Sequence, residues 1–189
     1  MTAKVRAAGL AAMLAACSAS AVESYRMDAS RNGGVFVLDA EVRIDAPIGA
    51  VHAVITDYEN LERLSDRIKE SRVLDAEPNS TLVFTRVEGC FAFFCRTIER
   101  VERVIEFAPN HIEATTLPEQ SNVKYGKTMW VLHRDGDDAT RVEYYLALQP
   151  DFWVPPFIGH LAIRRSLRAD AAAMFERIEE IAAGAADDE

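Results

Sequence analysis

The residues of this chain whose types could do chemistry are few: four histidines, three cysteines and one cationic helix face. His52, His111, His133 and His160 are scattered, and none stands in a His-x-x-x-His or Glu-x-x-His pair. That spacing would set two ligands on one helix face, so no metal site is expected and no cofactor is implied. No Gly-x-Ser-x-Gly elbow offers a strained nucleophile either, and no catalytic set is legible. The histidines read as surface or strand-edge residues. Cys90 and Cys95 bracket Phe91-Ala92-Phe93-Phe94, and four intervening residues are not the Cys-x-x-Cys of redox enzymes. His160, Arg164, Arg165 and Arg168 recur at helical spacing in a chain of formal net charge −9. They form either a solvated face paired with acids or a contact for lipid phosphate headgroups, with Arg164 and Arg168 the candidates. An acidic chain lacks the basic footprint that nucleic acid requires.

The N-terminus decides how the cysteines are read. Lys4 and Arg6 precede an uncharged stretch from Ala7 to Ala16, the layout of an export signal. That stretch is too short to span a bilayer, which takes about 20 residues. Leu14-Ala15-Ala16-Cys17 resembles a bacterial lipobox, which makes residues 1–16 a signal peptide and Cys17 an acylated N-terminus. Ala19-Ser20-Ala21 offers an ordinary cleavage site instead, and a buried alanine-rich helix is a third reading. With Ser18 after the cysteine, the resemblance implies the periplasmic face of the outer membrane wherever two membranes exist. In an oxidising compartment Cys90 and Cys95 are expected to pair, closing a hairpin loop. Phe91, Phe93 and Phe94 then face either the core or a cavity mouth or membrane.

The elements that must position these residues follow from periodicity. Residues 17–34 are small and polar and end in Gly-Gly, which reads as a lipidated tether. Phe36, Leu38, Ala40, Val42 and Ile44 alternate with charged residues, the mark of a half-buried strand. Pro47 opens a helical stretch over 47–65, as one helix or two. Six strands follow at about 67–76, 81–90, 95–107, 110–117, 123–134 and 140–149, separated by turn signals. Short connections imply an antiparallel meander. Pro155 begins a long helix to Ala183, with Phe157, Leu161, Leu167, Ala171, Phe175, Ile178 and Ala182 as its apolar stripe. Residues 184–189 form an acidic tail.

This order, together with "DAPIGAVHAVITDYENLERLSDRIKES", resembles the START-like (SRPBCC) helix-grip superfamily, in its polyketide cyclase and coenzyme Q-binding branch. Pro47, Asp57, Tyr58, Asn60 and Leu61 match that branch's local form, and the resemblance covers about residues 35–183. It implies an α+β fold in which a seven-stranded curved antiparallel sheet wraps the C-terminal helix, with an apolar ligand cavity between them. On that expectation Trp130, Leu132, Tyr144, Leu146, Phe157 and Leu161 line the cavity. Phe91, Phe93, Phe94, Phe152 and Trp153 surround its mouth or meet the membrane, or else pack at the rim of the core. Arg86, Glu88, Tyr125, Tyr144 and Tyr145 are the acid, base or hydroxyl groups able to reach the wall.

The leading expectation is a monomeric envelope lipoprotein, membrane-anchored through its N-terminal acyl chains. Its partner would be a hydrophobic small molecule or lipid, such as a quinone or isoprenoid. The alternatives are a cyclase or hydrolase acting on a hydrophobic envelope substrate, and a non-catalytic interaction module.

Overall fold

A computed structural model describes residues 23–91, 94–107, 110–153 and 160–186. The side chains at 23–24, 90–91, 94, 160–163 and 186 lie outside that description. Eight strands form one antiparallel sheet: β1 Glu23–Asn32, β2 Val35–Ile44, β3 Ile68–Glu77, β4 Ser80–Phe91, β5 Phe94–Phe107, β6 His111–Thr116, β7 Val123–Arg134 and β8 Thr140–Pro150. Helix α1 (Ile48–Ile55) and a 3-10 turn at Leu61–Leu64 follow β2, and helix α2 (His160–Ala186) closes the chain.

The sheet order is β1-β2-β8-β7-β6-β5-β4-β3. From β3 to β8 the chain is a meander, and α1 with its 3-10 turn carries it from β2 to the far edge. Tyr58 and Leu61 fix that crossover to β3: Ser71 Oγ donates to the Tyr58 carbonyl, and the Leu61 amide donates back to Ser71 Oγ at 3.3 Å. The helical stretch over 47–65 is thus two short pieces, broken at Thr56, with Pro47 in the N-cap position of the first.

Each of the seven expected strands forms, and the sheet gains an eighth from residues read as tether. Residues 23–32 pair with β2 from Glu23↔Arg43 to Asn32↔Val35. The reason lies in Gly33 and Gly34, with φ of 56° and 93°. A two-residue hairpin turn with both φ values positive is type I′, whose twist matches that of paired strands, and glycine enters it at no steric cost. Ala29 and Met27 give β1 an inward face: Ala29 is buried, and Met27 packs against the core. At the other end, residues 184–186 continue α2 rather than belonging to a tail.

α2 packs against α1, β1 and β2. Ala171, Phe175, Ile178 and Ala182, at helical spacing, are all buried. They meet the inward residues of β2 and β8: Leu38, Ala40, Val42, Ile44, Val142 and Tyr144. Among the described residues no helix is long and apolar enough to cross a membrane.

Candidate functional site

Strand alternation sends one residue in two to the concave face, and the register aligns these residues into rows. Two adjacent rows cross the sheet between β4 and β8. Val83 lies opposite Glu102, Glu102 opposite Thr116, Ala114 opposite Thr128, and Thr128 opposite Leu146. Thr85, opposite Arg100, belongs to the same band. Thr85, Glu102, Thr116 and Thr128 are all buried, so a polar stripe runs through the middle of an apolar surface.

The stripe is organised around one ion pair. Arg100 Nε lies 3.1 Å from Glu102 Oε2 and donates to Thr85 Oγ1 at 3.2 Å. Thr116 Oγ1 donates to the second Glu102 oxygen at 3.4 Å. Thr116 needs an unusual neighbour: any Cβ added at Gly126 would collide with its Oγ1, so only glycine leaves room for the hydroxyl. Glu102 is 6% exposed, and a buried carboxylate requires a paired cation. Arg100 supplies it. The two Arg100 Nη atoms have no hydrogen-bond partner among the described residues.

Beside this pair lies a cavity of about 230 Å³. Leu38, Tyr144, Leu146 and Leu148 form one wall, Val87, Gly89, Ile98 and Arg100 another, and Leu167, Ala171 and Met174 of α2 roof it. Tyr144 is held by Trp130 (centroids 4.4 Å apart) and by an edge contact with Phe175 (5.7 Å). Burial pushes its hydroxyl up to about 12, with Arg100 opposing and Glu102 adding to the shift. Tyr144 therefore stays a neutral donor at any ordinary pH.

Ser65, Arg67 and Asp170 line both this cavity and a larger polar groove outside it. They mark the doorway. Arg67 Nε reaches Asp170 Oδ1 at 2.8 Å, joining the segment before β3 to α2. The Arg67 carbonyl accepts from the Glu88 amide, and Ser166 Oγ donates to Asp170 Oδ2, so both sides of the bridge are braced. Each side chain is about one-third exposed, and such pairs contribute only ~0–1 kcal/mol. The bridge beside this doorway is therefore cheap to break.

The expected wall residues divide. Tyr144 and Leu146 line the cavity. Trp130 and Leu132 do not: Leu132 is fully buried in the core, and Trp130 packs behind Tyr144. They share the concave face with Thr128, which settles which side of β7 faces inward. Phe157 lies outside the described residues, as does the side chain of Leu161 on α2.

Of the five groups thought able to reach the wall, Tyr144 alone lines this cavity. Tyr145 points to the opposite face by alternation. Arg86 is tied to Glu70 and Glu99, Glu88 lines the outer groove, and Tyr125 is exposed. Arg100 and Glu102 were missed because both faces of "TIERVERVIEF" carry charges, so its alternation has no apolar phase to read.

The remaining candidates are scattered. Arg164 is exposed, but Arg168 is engaged with Asp28 of β1 at 2.8 Å, which removes it from the free cations of the helix. Trp153 is 67% exposed and Phe152 intermediate, just beyond β8. The backbone register sets Cys90 directly opposite Cys95, and Phe91 opposite Phe94. Phe93 and Cys17 lie outside the described residues, as do the side chains of Phe91 and Phe94. His52, His111 and His133 each lie within 3.4 Å of a glutamate, Glu106, Glu113 and Glu143 respectively. Among the described residues no group of His, Cys, Asp and Glu is placed to hold a metal ion.

Solved structures share this architecture. A START superfamily protein from Mycobacterium smegmatis aligns at TM-score 0.60 and 18% identity, over 77% of this chain and 98% of its own. The STAR-related lipid transfer protein of Xanthomonas axonopodis aligns at 0.59 and 14%, over 84% and 99%. The Zhui aromatase/cyclase of a Streptomyces species aligns at 0.64 and 12%, over 78% and 93%. Identities this low establish the α+β helix-grip fold and nothing finer. No curated protein matches the sequence. The family model for polyketide cyclase / dehydrase and lipid transport matches residues 36–183, from the start of β2 to the last buried turn of α2, and the chain belongs to that family.

Proposed function

We propose that this protein binds and carries a hydrophobic small molecule in the cavity between sheet and α2, as an exported, membrane-anchored lipoprotein. The observation that carries the binding reading is the cavity itself, walled by apolar residues of five strands and a helix and edged by a weak ion pair. Its volume is below the ~300–1,000 Å³ of typical ligand sites. At ~30 Å³ per water-sized unit it holds about eight non-hydrogen atoms. A longer ligand would extend past the Arg67–Asp170 pair toward the outer groove. The family takes in lipid transport as well as polyketide cyclases and dehydrases, which agrees with this reading.

Export rests on the sequence alone, through Lys4, Arg6 and the segment ending at Cys17. In that reading Cys90 and Cys95 form a disulfide. Directly opposed antiparallel residues have Cα atoms about 4.5–5.5 Å apart, within the range a disulfide spans. β1 changes the geometry of the anchor. Only residues 18–22 separate Cys17 from the sheet, a reach of at most about 20 Å. β1 begins beside Arg43, whereas the β4–β5 tip and Trp153 lie past the opposite end of the strands. Anchor and aromatic tip thus meet one bilayer only with the strands lying along it.

The test is extraction and mass spectrometry of protein purified under mild conditions from its native envelope. A consistent hydrophobic cargo is expected. Empty protein that takes up no quinone, isoprenoid or lipid analogue refutes the carrier reading. A cyclase or related enzyme is the second reading, favoured by the Tyr144 hydroxyl and the Arg100–Glu102 pair at the wall. It requires turnover that Tyr144→Phe abolishes without loss of folding.

A further inference from the structure

The carrier reading says that the cavity takes an apolar molecule. The polar groups at its wall say more. Arg100 spends one of its three nitrogens, Nε, on Thr85 and Glu102, and both Nη atoms remain without a protein partner among the described residues. A guanidinium carries five N–H donors in a planar fork. The Tyr144 hydroxyl also has no hydrogen-bond partner among the described residues, and its ring is fixed by Trp130 and Phe175. Arg100 and Tyr144 both line the same cavity. A purely hydrocarbon ligand would expel water from these donors and return nothing, and unmet buried donors are costly.

The charge balance narrows the acceptor. Glu102, buried and bonded to Arg100, already neutralises the one cation at this end of the cavity. A ligand carboxylate would add a second anion beside Glu102 in a poorly solvated site, with one guanidinium between the two. A neutral oxygen avoids that cost and still accepts hydrogen bonds from Arg100 and Tyr144.

We propose that this cavity selects small apolar molecules bearing one neutral oxygen acceptor, a ketone or ester carbonyl, received by the Arg100 guanidinium and the Tyr144 hydroxyl. This rests on the carrier reading and gives its ligand a chemical class. Glu102 is then a positioning residue: it holds Arg100 against the sheet with Nε inward and leaves the fork free. The size limit also follows. About eight non-hydrogen atoms fit inside, so the carbonyl end sits at the polar wall and any longer tail extends out of the cavity.

The experiment compares acetophenone, α-methylstyrene and benzoate. They are nearly isosteric, of about the cavity's capacity, and differ at one group: carbonyl, alkene or carboxylate. Each is titrated near neutral pH, following the NMR methyl signals of Leu146, Leu148 and Met174. Acetophenone should bind about tenfold tighter than α-methylstyrene, the effect of one charge-assisted hydrogen bond, and benzoate weaker than acetophenone. These wild-type comparisons need no variant. Tyr144→Phe should narrow the gap, and the double variant Arg100→Met with Glu102→Gln, which leaves no lone charge, should close it to within about twofold. Equal affinity for acetophenone and α-methylstyrene, or tighter binding of benzoate, overturns the proposal while leaving the cavity a ligand site. If none of the three probes moves the cavity methyls, the carrier reading fails as well.

Discussion

Replacing Arg100 by Met tests whether the polar stripe is a closed charge pair. Glu102 is 6% exposed, and its remaining donor would be Thr116 at 3.4 Å, too long to compensate a full charge. Removing one partner of a buried ion pair costs about 3–5 kcal/mol, because the other charge is left alone. A domain of this kind has about 5–15 kcal/mol in total, so Arg100→Met should bring the protein close to the edge of folding. Glu102→Gln is milder. It leaves Arg100 with the Thr85 contact and access to cavity water, so the cost should be about 1–3 kcal/mol. The double variant carries no lone charge and should recover most of the loss. The assay is urea unfolding of all four proteins, read as a double-mutant cycle with an expected coupling of about 2–4 kcal/mol. Arg100→Met within 1 kcal/mol of wild type, or strictly additive costs, would show that Glu102 does not depend on Arg100. The account of the cavity's polar end would then be wrong.

Other outcomes follow from the same geometry. Burial raises the Tyr144 hydroxyl to about 12 and, with the Glu106 hydrogen bond, raises Tyr58 further. The unfolded chain loses these protons first, near pH 10, so stability should fall as pH rises through about 10–12. Tyr144 alone accounts for about 2–3 kcal/mol of that loss, and urea unfolding of Tyr144→Phe between pH 9 and 11 should show a shallower decline. Gly126→Ala drives a methyl into Thr116 and should cost about 1–3 kcal/mol, partly restored by Thr116→Ala; an unchanged unfolding midpoint would contradict the predicted clash. Arg67→Gln should speed entry and exit of a fluorescent apolar probe together, leaving its equilibrium affinity nearly constant. Added salt should accelerate exchange in the wild type, where it screens the bridge to Asp170, but not in the variant; stopped-flow traces identical in both proteins would rule out a doorway there. Gly34→Val forces a β-branched residue to φ near 93° and should release β1, seen as faster amide exchange over residues 25–32 than in wild type.

Much of the fold was legible because its signals are local. Seven strands announce themselves by alternation or by turn residues, and α2 by the spacing of Ala171, Phe175, Ile178 and Ala182. β1 is harder to read: "ESYRMDASRN" is polar enough for a tether, and its strand identity shows only when Gly33-Gly34 is read as a type I′ turn. An edge strand has one neighbour and little apolar surface to declare it.

The binding site was legible only in part. Tyr144 and Leu146 could be assigned to the concave face because β8 alternates cleanly, but the same reasoning placed Trp130 and Leu132 at the cavity. Facing inward is not the same as lining a void: Leu132 is fully buried on the strand that α1 packs against, and Phe175 and Tyr144 close on Trp130. Arg168 looked like a free cation until β1 brought Asp28 to it across 140 positions of sequence.

The antiparallel meander, the crossover helices and the apolar stripe of the terminal helix are written in local sequence, since periodicity and turn chemistry act over a few residues. That Arg100, Glu102 and Thr116, from two strands, gather near Tyr144 from a third beside an apolar cavity follows only from the folded sheet. Register across the sheet chooses those neighbours. A strand whose two faces are both charged says which residues alternate, but not which of them will be buried together.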